Sequence, residues 1–511
     1  MNEIDSSSRF SAGAIRAFDD GSGYMGHASD LNTVARQVAS QYRRDTMSPV
    51  MVSGVLRLIE FALVMLAGAA AYLLHFGWLW PSLQYPGVVV AGSALAVVLL
   101  EFADAYQMPA LRRPLAYAAK LLFVLAGVFA LLALAGFLLK VSQEFSRAWF
   151  GLWFGLGFLV LLALRVVISR LMRRWARNGT MERRAVIVGG GADAEGLIRS
   201  VEQQPFNDIR ICGIFDDRDE RRSPPLVAGY PKLGNVLELI EFARIARIDM
   251  LIVSLPMTAE TRVLSMLKKL WVLPVDIRLS AHSNRLRFRP RAYSFIGSVP
   301  MLDIFDKPIN DWDSVAKRAF DIVFSLVGIA LFSPVMIAAA IAIRLESKGP
   351  VIFRQKRHGF NNEVIEVYKF RSMYIDQCDP TARNAVVKND PRVTRVGRFI
   401  RKTSIDELPQ FFNSLFGSLS LVGPRPHAVS AQSHNKLYHE VVDGYFARHR
   451  VKPGVTGWAQ INGWRGEIDS DEKIRMRTEY DLAYIENWSL WFDLKILLLT
   501  PIRLLNTENA Y

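Results

Sequence analysis

Apolar and polar positions divide the chain into four zones. Residues 1 to about 50 show no apolar periodicity and are rich in Ser, Gly, Asp and Ala, which predicts a disordered, mobile N-terminal tail. Four long apolar runs follow: Leu58–Trp78, Pro86–Leu100 continuing to Ala105, Leu121–Leu139 and Trp149–Ile168. Each approaches the ~20 residues that a bilayer-spanning helix needs, and four in succession with short links predict four transmembrane helices over 51–178. From about Arg183 the pattern becomes short buried strands separated by helical runs. Ala185–Val188, Ile209–Phe215, Met250–Val253 and Val275–Leu279 read as strands; Val236–Arg247 and Thr261–Trp271 read as helices. Alternation of this kind predicts a parallel, doubly wound sheet over 179–311.

A fifth apolar run, Ile322–Ile343, is long enough to cross a membrane. Ser333-Pro334 sits in its middle, where proline removes a helical hydrogen bond. Lys317 and Arg318 flank one end, Arg344 and Lys348 the other. Basic residues at both ends resist translocation, so 315–344 is predicted to be a re-entrant hairpin that returns to the face it entered. Trp488–Leu505 is broken by Asp493, Lys495, Pro501 and Arg503 and reads as an interfacial amphipathic segment.

The distribution of charge sets orientation. Arg36, Arg43, Arg44 and Arg57 precede the first span, Arg112 and Arg113 lie between the second and third, and Arg170, Arg173, Arg174 and Arg177 follow the fourth. These sides are cytoplasmic by the positive-inside rule. Glu60, Lys120 and Arg165 fall in or near span ends and read as snorkelling side chains. Over 511 residues a mean hydropathy of +0.17 fits a membrane protein and excludes disorder of the whole chain. A formal charge of +14, from 62 basic and 48 acidic residues, implies an anionic partner, with nucleic acid, anionic lipid headgroups and phosphorylated substrates as candidates. The two cysteines, Cys212 and Cys378, exclude a disulfide scaffold and a cysteine-built metal site and fit a reducing compartment.

Two places carry candidate chemistry. The first is the turn after the first strand, Gly189-x-Gly191-x-x-Ala194, with Asp216 near the position of a ribose contact. This is a short dinucleotide fingerprint, and the glycines could equally serve only the turn. The domain resembles the nucleotide-binding-like half of membrane-bound nucleotide-sugar dehydratases, without their Tyr-x-x-x-Lys pair, which points to a regulatory or oligomerising role. The second lies past Gly349, where charged residues are dense. Lys369, Arg401 and Arg425 are cations suited to phosphate. Asp406 and Glu407 are adjacent carboxylates that point about 100° apart on a helix, so that one can attack while the other holds a metal. Thr403 or Ser404 with Glu407 also reads as a helix-capping box. Trp458, Trp464, Phe370 and Tyr374 in a basic setting could instead form a nucleic-acid groove, but interleaved turn residues and the preceding membrane segment argue against it.

Residues from about Lys317 to Leu505 resemble the bacterial sugar transferase family, the monotopic polyprenyl-phosphate hexose-1-phosphate transferases. The resemblance rests on the Ser333-Pro334 break, Lys369-Phe370-Arg371-Ser372-Met373, Ser404-Ile405-Asp406-Glu407-Leu408-Pro409-Gln410, Gly423-Pro424-Arg425-Pro426 and Pro453-Gly454-Val455-Thr456-Gly457-Trp458. With four spans and an α/β Rossmann-like cytosolic domain ahead, the layout looks like the long form of that family. The resemblance implies an α-rich catalytic domain over 312–511 and transfer of a hexose 1-phosphate from a UDP-hexose to undecaprenyl phosphate with release of UMP, in the bacterial inner membrane. Glucose is favoured over galactose on likeness to long exopolysaccharide-type members. The resemblance further implies Asp406 as nucleophile, Glu407 as Mg2+ ligand, Lys369, Arg401 and Arg425 as phosphate contacts, Asp481 and Asp493 as further acidic positions of the site, and Ser333-Pro334 as the break that makes the hairpin re-entrant. The lipid bilayer is a partner, nucleic acid is not, and a homodimer through the Rossmann-like domain is plausible. A redox enzyme at the Gly189 turn and a non-catalytic membrane scaffold are the other readings.

Overall fold

The computed structural model describes residue 15, residues 31–43 and residues 49–504, apart from 79–81, 83, 108–109, 112, 178–181, 204–208, 219–222, 256–258, 281–292, 297–298, 376–389, 428–431, 434–435, 443, 465 and 467–469. Arg44, Arg112 and Cys378 lie outside the described residues. The chain forms two compact units, Asp45–Arg183 on the one hand and Met1–Arg44 with Arg184–Tyr511 on the other.

The first helix, α1 (Thr33–Gln41), belongs to the second unit. Ala35 and Ala39 are buried in the core of the α/β domain, and Ile15 joins them. Asn32 caps the helix and donates from Nδ2 to the Leu233 carbonyl at 2.6 Å. The tail expected over 1–50 is therefore, at 31–43, an ordered part of the α/β domain. Small residues at i and i+4 seat this helix, a pattern too sparse in large apolar side chains to stand out in the sequence.

The four expected apolar helices are α2 (Pro49–Phe76), α3 (Gln84–Phe102), α4 (Ala118–Leu138) and α5 (Arg147–Arg177). All are long and apolar enough to cross a membrane. Trp149 and Trp153 are buried and donate their indole N–H groups to Gly68 O and Val64 O at 3.1 and 2.9 Å, pinning α5 to α2. Glu60 and Arg165 do not snorkel. Both are buried, with Arg165 Nε 2.9 Å from Glu60 Oε1, Arg165 Nη1 donating to the Ala105 carbonyl, and the Tyr106 hydroxyl donating to Glu60 Oε2. Mutual pairing replaces access to water as the reason these charges are tolerated. Lys120 is exposed, as expected.

The α/β domain holds strands β1 (Arg183–Val188), β2 (Ile209–Phe215), β3 (Leu226–Val227), β4 (Tyr230–Gly234), β5 (Met250–Val253), β6 (Asp276–Ser280), β7 (Tyr293–Ile296) and β8 (Val299–Phe305) in the order β3-β4-β2-β1-β5-β6-β8-β7. β1, β5 and β6 pair in parallel, as predicted, but β8 runs antiparallel to β6 and β7 antiparallel to β8. The sheet is mixed rather than wholly parallel because both of its edges pair antiparallel: β7 and β8 form a hairpin rather than a helical crossover, and β3 runs antiparallel to β4. Helices α6 (Ala192–Glu202), α7 (Val236–Ile245) and α8 (Glu260–Leu270) cover it.

The segment expected as a re-entrant hairpin lies within one helix, α9 (Asp311–Glu346), which carries Pro334 inside it. The Ser333 hydroxyl donates to the Ala330 carbonyl at 3.0 Å, a local bond that takes up backbone capacity beside the proline. At 36 residues α9 is about 54 Å long if straight. Both ends are held by the same catalytic fold. Near the start, Lys317 Nζ lies 2.6 Å from Asp493 Oδ2 and 3.0 Å from Val422 O. At the end, Glu346 accepts from the Arg395 and Val396 N–H groups at 2.7 and 2.9 Å. Between them Leu326, Val327, Leu331, Ile337 and Ile341 are more than half exposed. The fold continues with the antiparallel hairpin β9 (Ile352–His358) and β10 (Val364–Phe370), helix α10 (Arg395–Lys402), a 3-10 turn at Ile405–Glu407 and helix α11 (Gln410–Phe416). Strands β11 (Ser420–Val422) and β12 (Gly454–Thr456) pair in parallel, and helices α12 (Asp471–Glu486) and α13 (Leu490–Leu504) close the domain.

Candidate functional site

The register of the β9–β10 hairpin sets Arg357 opposite Ile365 and Lys369 opposite Phe353. Alternation along each strand then puts Arg357 and Lys369 on one face. The Asp406-Glu407 turn meets this hairpin. Ser404, with φ of 59°, enters the left-handed region just ahead of the carboxylates. Such a conformation costs a non-glycine residue of order 1 kcal/mol and persists where surrounding structure imposes it. No side chain caps this turn, so the expected capping box does not form; the Glu407 side chain is turned elsewhere.

Arg425 arrives from the other side. Its Gly-Pro-Arg-Pro loop is pressed onto the Pro453-Gly454 turn, with Gly454 N donating to Pro424 O at 2.9 Å and Gly423 N to Thr456 O at 2.9 Å. A Cβ on Gly454 would sit 2.1 Å from Gly423 N, and one on Gly423 2.5 Å from Lys452 O, so glycine is required at both positions. Two motifs far apart in sequence thus form one support for a single guanidinium.

Glu407 is the shared partner. Lys369 Nζ donates to its Oε1 at 2.8 Å, and Arg425 spans the carboxylate, with Nη2 2.5 Å from Oε1 and Nη1 3.1 Å from Oε2. Asp406, next in the chain and half-buried, accepts no hydrogen bond among the described residues. Burial is the largest influence on Asp406 and pushes its carboxyl up to about 6; Lys369 opposes this and the Glu407 charge adds to it. Burial also acts on Glu407, but Arg425 and Lys369 outweigh it and hold that carboxyl well below the usual range. Two neighbouring carboxyls with separated titrations suit two different tasks.

Arg401, in the last turn of α10, lies close enough for its charge to stabilise the Asp406 carboxylate. Arg357 was not among the sequence candidates. Burial, then the Arg425 charge, lowers its guanidinium to about 10, and its Nη1 donates to Pro426 O at 2.9 Å. Its signal was present in the strand alternation but needed the hairpin register to be read. Four cations (Lys369, Arg357, Arg401 and Arg425) against two carboxylates leave a surplus of two positive charges, fitted to a diphosphate.

The remaining candidates lie elsewhere. Asp481 is buried and bonded to Arg448 Nη2 at 2.5 Å; that nitrogen also donates to the Arg425 carbonyl at 2.8 Å. Asp493 is buried against Lys317 and accepts from the Tyr484 hydroxyl at 2.7 Å, which ties α13 to α9. Neither carboxylate faces Asp406 and Glu407. Phe370 is in the core against α9, so the aromatic set proposed as a groove does not assemble into one surface. At the glycine turn, Asp216 is buried. It accepts from the Gly190 N–H at 2.6 Å and pairs with Arg218 at 2.7 Å, while Arg218 also bonds to Gly190 O. Asp193 and Glu195 lie in the first turn of α6. The turn is closed by the protein's own ion pair, and its helix start is already negative, which disfavours a phosphate there.

The donor set can be tested for a divalent cation. Among the described residues no three His, Cys, Asp or Glu side chains cluster, so there is no all-protein cage. Glu407 Oε1 accepts twice, whereas Oε2 accepts only from Arg425 and keeps a free lone pair. One or two carboxylates completed by substrate phosphates and water is the set that Mg2+ takes. The residues fit.

Residues 312–507 match the bacterial sugar transferase family and residues 101–281 match a CoA-binding domain. The chain is 33% identical over 459 residues to the UDP-glucose:undecaprenyl-phosphate glucose-1-phosphate transferase of Xanthomonas campestris pv. campestris, covering 89% of this chain and 94% of that protein. It is 39% identical over 362 residues to the protein of the same name in Escherichia coli (strain K12), covering 70% of this chain and 75% of the other. It is 45% identical over 185 residues, 36% of this chain and 42% of the relative, to the UDP-N-acetylgalactosamine-undecaprenyl-phosphate N-acetylgalactosaminephosphotransferase of Aeromonas hydrophila. With the first of these likenesses running through nearly the whole of both chains, and the matched segment containing every residue of the Asp406-Glu407 site, the chain belongs to the bacterial sugar transferase family.

Proposed function

We propose that the protein transfers glucose 1-phosphate from UDP-glucose to undecaprenyl phosphate, releasing UMP, as the first membrane step in building an exopolysaccharide or O-antigen repeat unit. The observation that carries this is the division within the carboxylate pair. Glu407 is locked by Lys369 and Arg425, while Asp406 beside it accepts no hydrogen bond and is surrounded by cations. The names of the two long relatives support glucose; galactose is the alternative.

An Asp406 carboxylate oxygen attacks the sugar-bearing phosphorus. The bond from that phosphorus to the bridging oxygen breaks, and UMP leaves with the electron pair. The phosphosugar remains on Asp406 as a mixed anhydride. A phosphate oxygen of undecaprenyl phosphate then attacks the same phosphorus, and the electrons of the breaking bond return to the carboxylate. Lys369, Arg357, Arg401 and Arg425 offset the charge on the phosphoryl oxygens and on departing UMP. Mg2+, held through Glu407 with the substrate phosphates, would add divalent counter-charge to the diphosphate.

The membrane placement follows from α9. Its two ends bond to one catalytic fold, whose charged residues cannot enter hydrocarbon, so both ends stay on one face and the exposed apolar middle dips into the bilayer. On α13, Trp491, Leu498 and Ile502 form an exposed apolar stripe suited to the headgroup boundary. With α2–α5 as a four-helix transmembrane bundle, all other domains face the cytosol, where UDP-sugars are. A homodimer through the α/β domain belongs to the same reading, since its sheet ends in the edge strands β3 and β7.

The test is a labelling experiment on the full-length protein. UDP-glucose carrying 32P in the β position, given without lipid acceptor, should label the wild-type protein and release UMP, and Asp406→Asn should do neither. Turnover without labelled protein would overturn the covalent route. UDP-galactose and UDP-N-acetylgalactosamine, supplied in parallel, test the sugar.

A further inference from the structure

The catalytic fold meets the α/β domain at Gly444–Arg450 and again at the β9–β10 connection, where Asn361 Nδ2 donates to the Ala243 carbonyl at 3.0 Å and Glu363 pairs with Arg247; only the first of these contacts runs on into the active site. Gly444 has φ of 71° and lies against Trp271 at the end of α8; a Cβ there would come within 2.2 Å of the indole. The 3-10 turn Tyr445–Arg450 follows. With three residues per turn, side chains three apart share a face. One face belongs to the α/β domain: Ala447 is buried in that domain's core, and Arg450 donates to the Asp306 carbonyl at 2.9 Å and stacks over Phe305. The opposite face belongs to the active site. The Tyr445 hydroxyl lies 2.6 Å from His427 Nδ1, and Arg448, wholly buried, holds Asp481 and the Arg425 carbonyl with one nitrogen. Arg425 in turn holds Glu407. An unbroken chain of contacts therefore runs from Trp271 and Ala447 to the carboxylate beside Asp406.

We infer that the α/β domain is a positioning element of the transfer reaction: by gripping the outer face of the 445–450 turn it sets Arg448, which fixes the Arg425 backbone and thereby the guanidinium that orients Glu407. No ligand of the α/β domain is required for this role, in keeping with its self-closed glycine turn. The inference rests on the transferase reading above. Arg448 and Trp271 are positioning residues, since neither side chain reaches the carboxylates.

The experiment measures UMP release by the full-length protein from UDP-glucose with undecaprenyl phosphate, at a temperature well below the thermal midpoint of every variant. Trp271→Ala removes the grip on Gly444. Leu197→Ala, buried on the opposite face of the sheet, weakens the same domain without touching the turn. Trp271→Ala should lower kcat about tenfold with little change in KM, because misplaced charge acts in the transition state. Trp271→Phe should restore most of the rate, and Leu197→Ala should leave kcat unchanged although its thermal midpoint falls. Should Trp271→Ala aggregate, Arg450→Gln cuts another contact of the same turn, the bond to the Asp306 carbonyl, and carries the same expectation. Equal loss of kcat in Trp271→Ala and Leu197→Ala, or no loss in either Trp271→Ala or Arg450→Gln, overturns the coupling. A wild-type protein that releases no UMP from any UDP-sugar overturns the transferase reading instead.

Discussion

Asp406 and Glu407 are adjacent in sequence and unlike in surroundings, and that difference should appear in the pH profile. In the proposed mechanism attack requires the Asp406 carboxylate. With its carboxyl pushed up to about 6, the reactive fraction falls as pH drops through that value. Glu407, held well below the carboxylate range, stays ionised and adds no limb there. We expect kcat/KM for UDP-glucose to fall on the acid side with a midpoint near pH 6, about tenfold per unit below it. A midpoint near 4, where an unperturbed carboxyl titrates, would contradict the buried setting of the nucleophile. Glu407→Gln removes the negative charge between Lys369 and Arg425 and replaces the carboxylate whose Oε2 keeps a lone pair for a cation. Activity should then need roughly tenfold more Mg2+, read from titrations after EDTA treatment; an unchanged requirement would remove Glu407 from the metal site. Asp406, Glu407, Lys369 and Arg425 were legible because each sits in a short motif with turn residues around it. Arg357 was not, since its place depends on strand register. Arg448 was not either, because a wholly buried arginine looks in sequence like any surface charge.

Helices and strands were legible wherever local pattern alone decides them. The β1, β2, β5 and β6 strands fall within a few residues of their expected places, as do α3 and α4, while α2 begins and α5 ends nine residues beyond the apolar run that marked it. Elements decided by partners distant in sequence were not. Helix α1 has small residues on its buried face and is held by the α/β core. α9 keeps helical geometry through Pro334, because Ser333 and packing against α10 and α11 compensate what the proline removes. Glu60 and Arg165 are 105 residues apart, and only packing of α2 on α5 joins them. Their pairing makes a direct prediction. Arg165→Met alone leaves a buried carboxylate without its partner and should cost about 3–5 kcal/mol, whereas replacing both Glu60 and Arg165 with methionine should restore most of that loss. Thermal unfolding in detergent of the wild type, both single variants and the double variant measures the cycle. Additive losses would mean that the two side chains do not act as a pair.

At the level of the whole molecule, the proposed membrane sidedness puts all the soluble parts on one face. Helix α1, which precedes α2, packs in the core of the α/β domain that follows α5, so in the proposed arrangement, with α2–α5 as spans, the chain enters and leaves the membrane on the same side. An even number of crossings satisfies this; α2–α5 supply four candidates. α9 would make a fifth by length and composition, but Lys317 near one end and Glu346 at the other are bonded to a single catalytic fold. A crossing would pull Asp493 and Val422 away from Arg395 and Val396 by the thickness of the hydrocarbon core, about 30 Å. It would also place the Asp406 site on the face opposite to UDP-sugars. Single cysteines at Arg36, Gln143 and Glu363, all exposed positions, report on the three cases once Cys212 and Cys378 are changed to serine. In intact cells a membrane-impermeant maleimide should label only Gln143→Cys, in the link between α4 and α5. After the membrane is opened, Arg36→Cys and Glu363→Cys should react as well. Labelling of Glu363→Cys from outside would make α9 a true span and remove the cytosolic mechanism with it. Labelling of Arg36→Cys from outside would break the packing of α1 on the α/β domain. Pro334→Leu takes away the interruption in the middle of α9 and favours a straight crossing. In that variant Glu363→Cys should become reactive from outside in the fraction of molecules that have lost activity, and a Pro334→Leu protein that stays fully active and inaccessible would show that the contacts at the two ends of α9 are sufficient to hold it on one face.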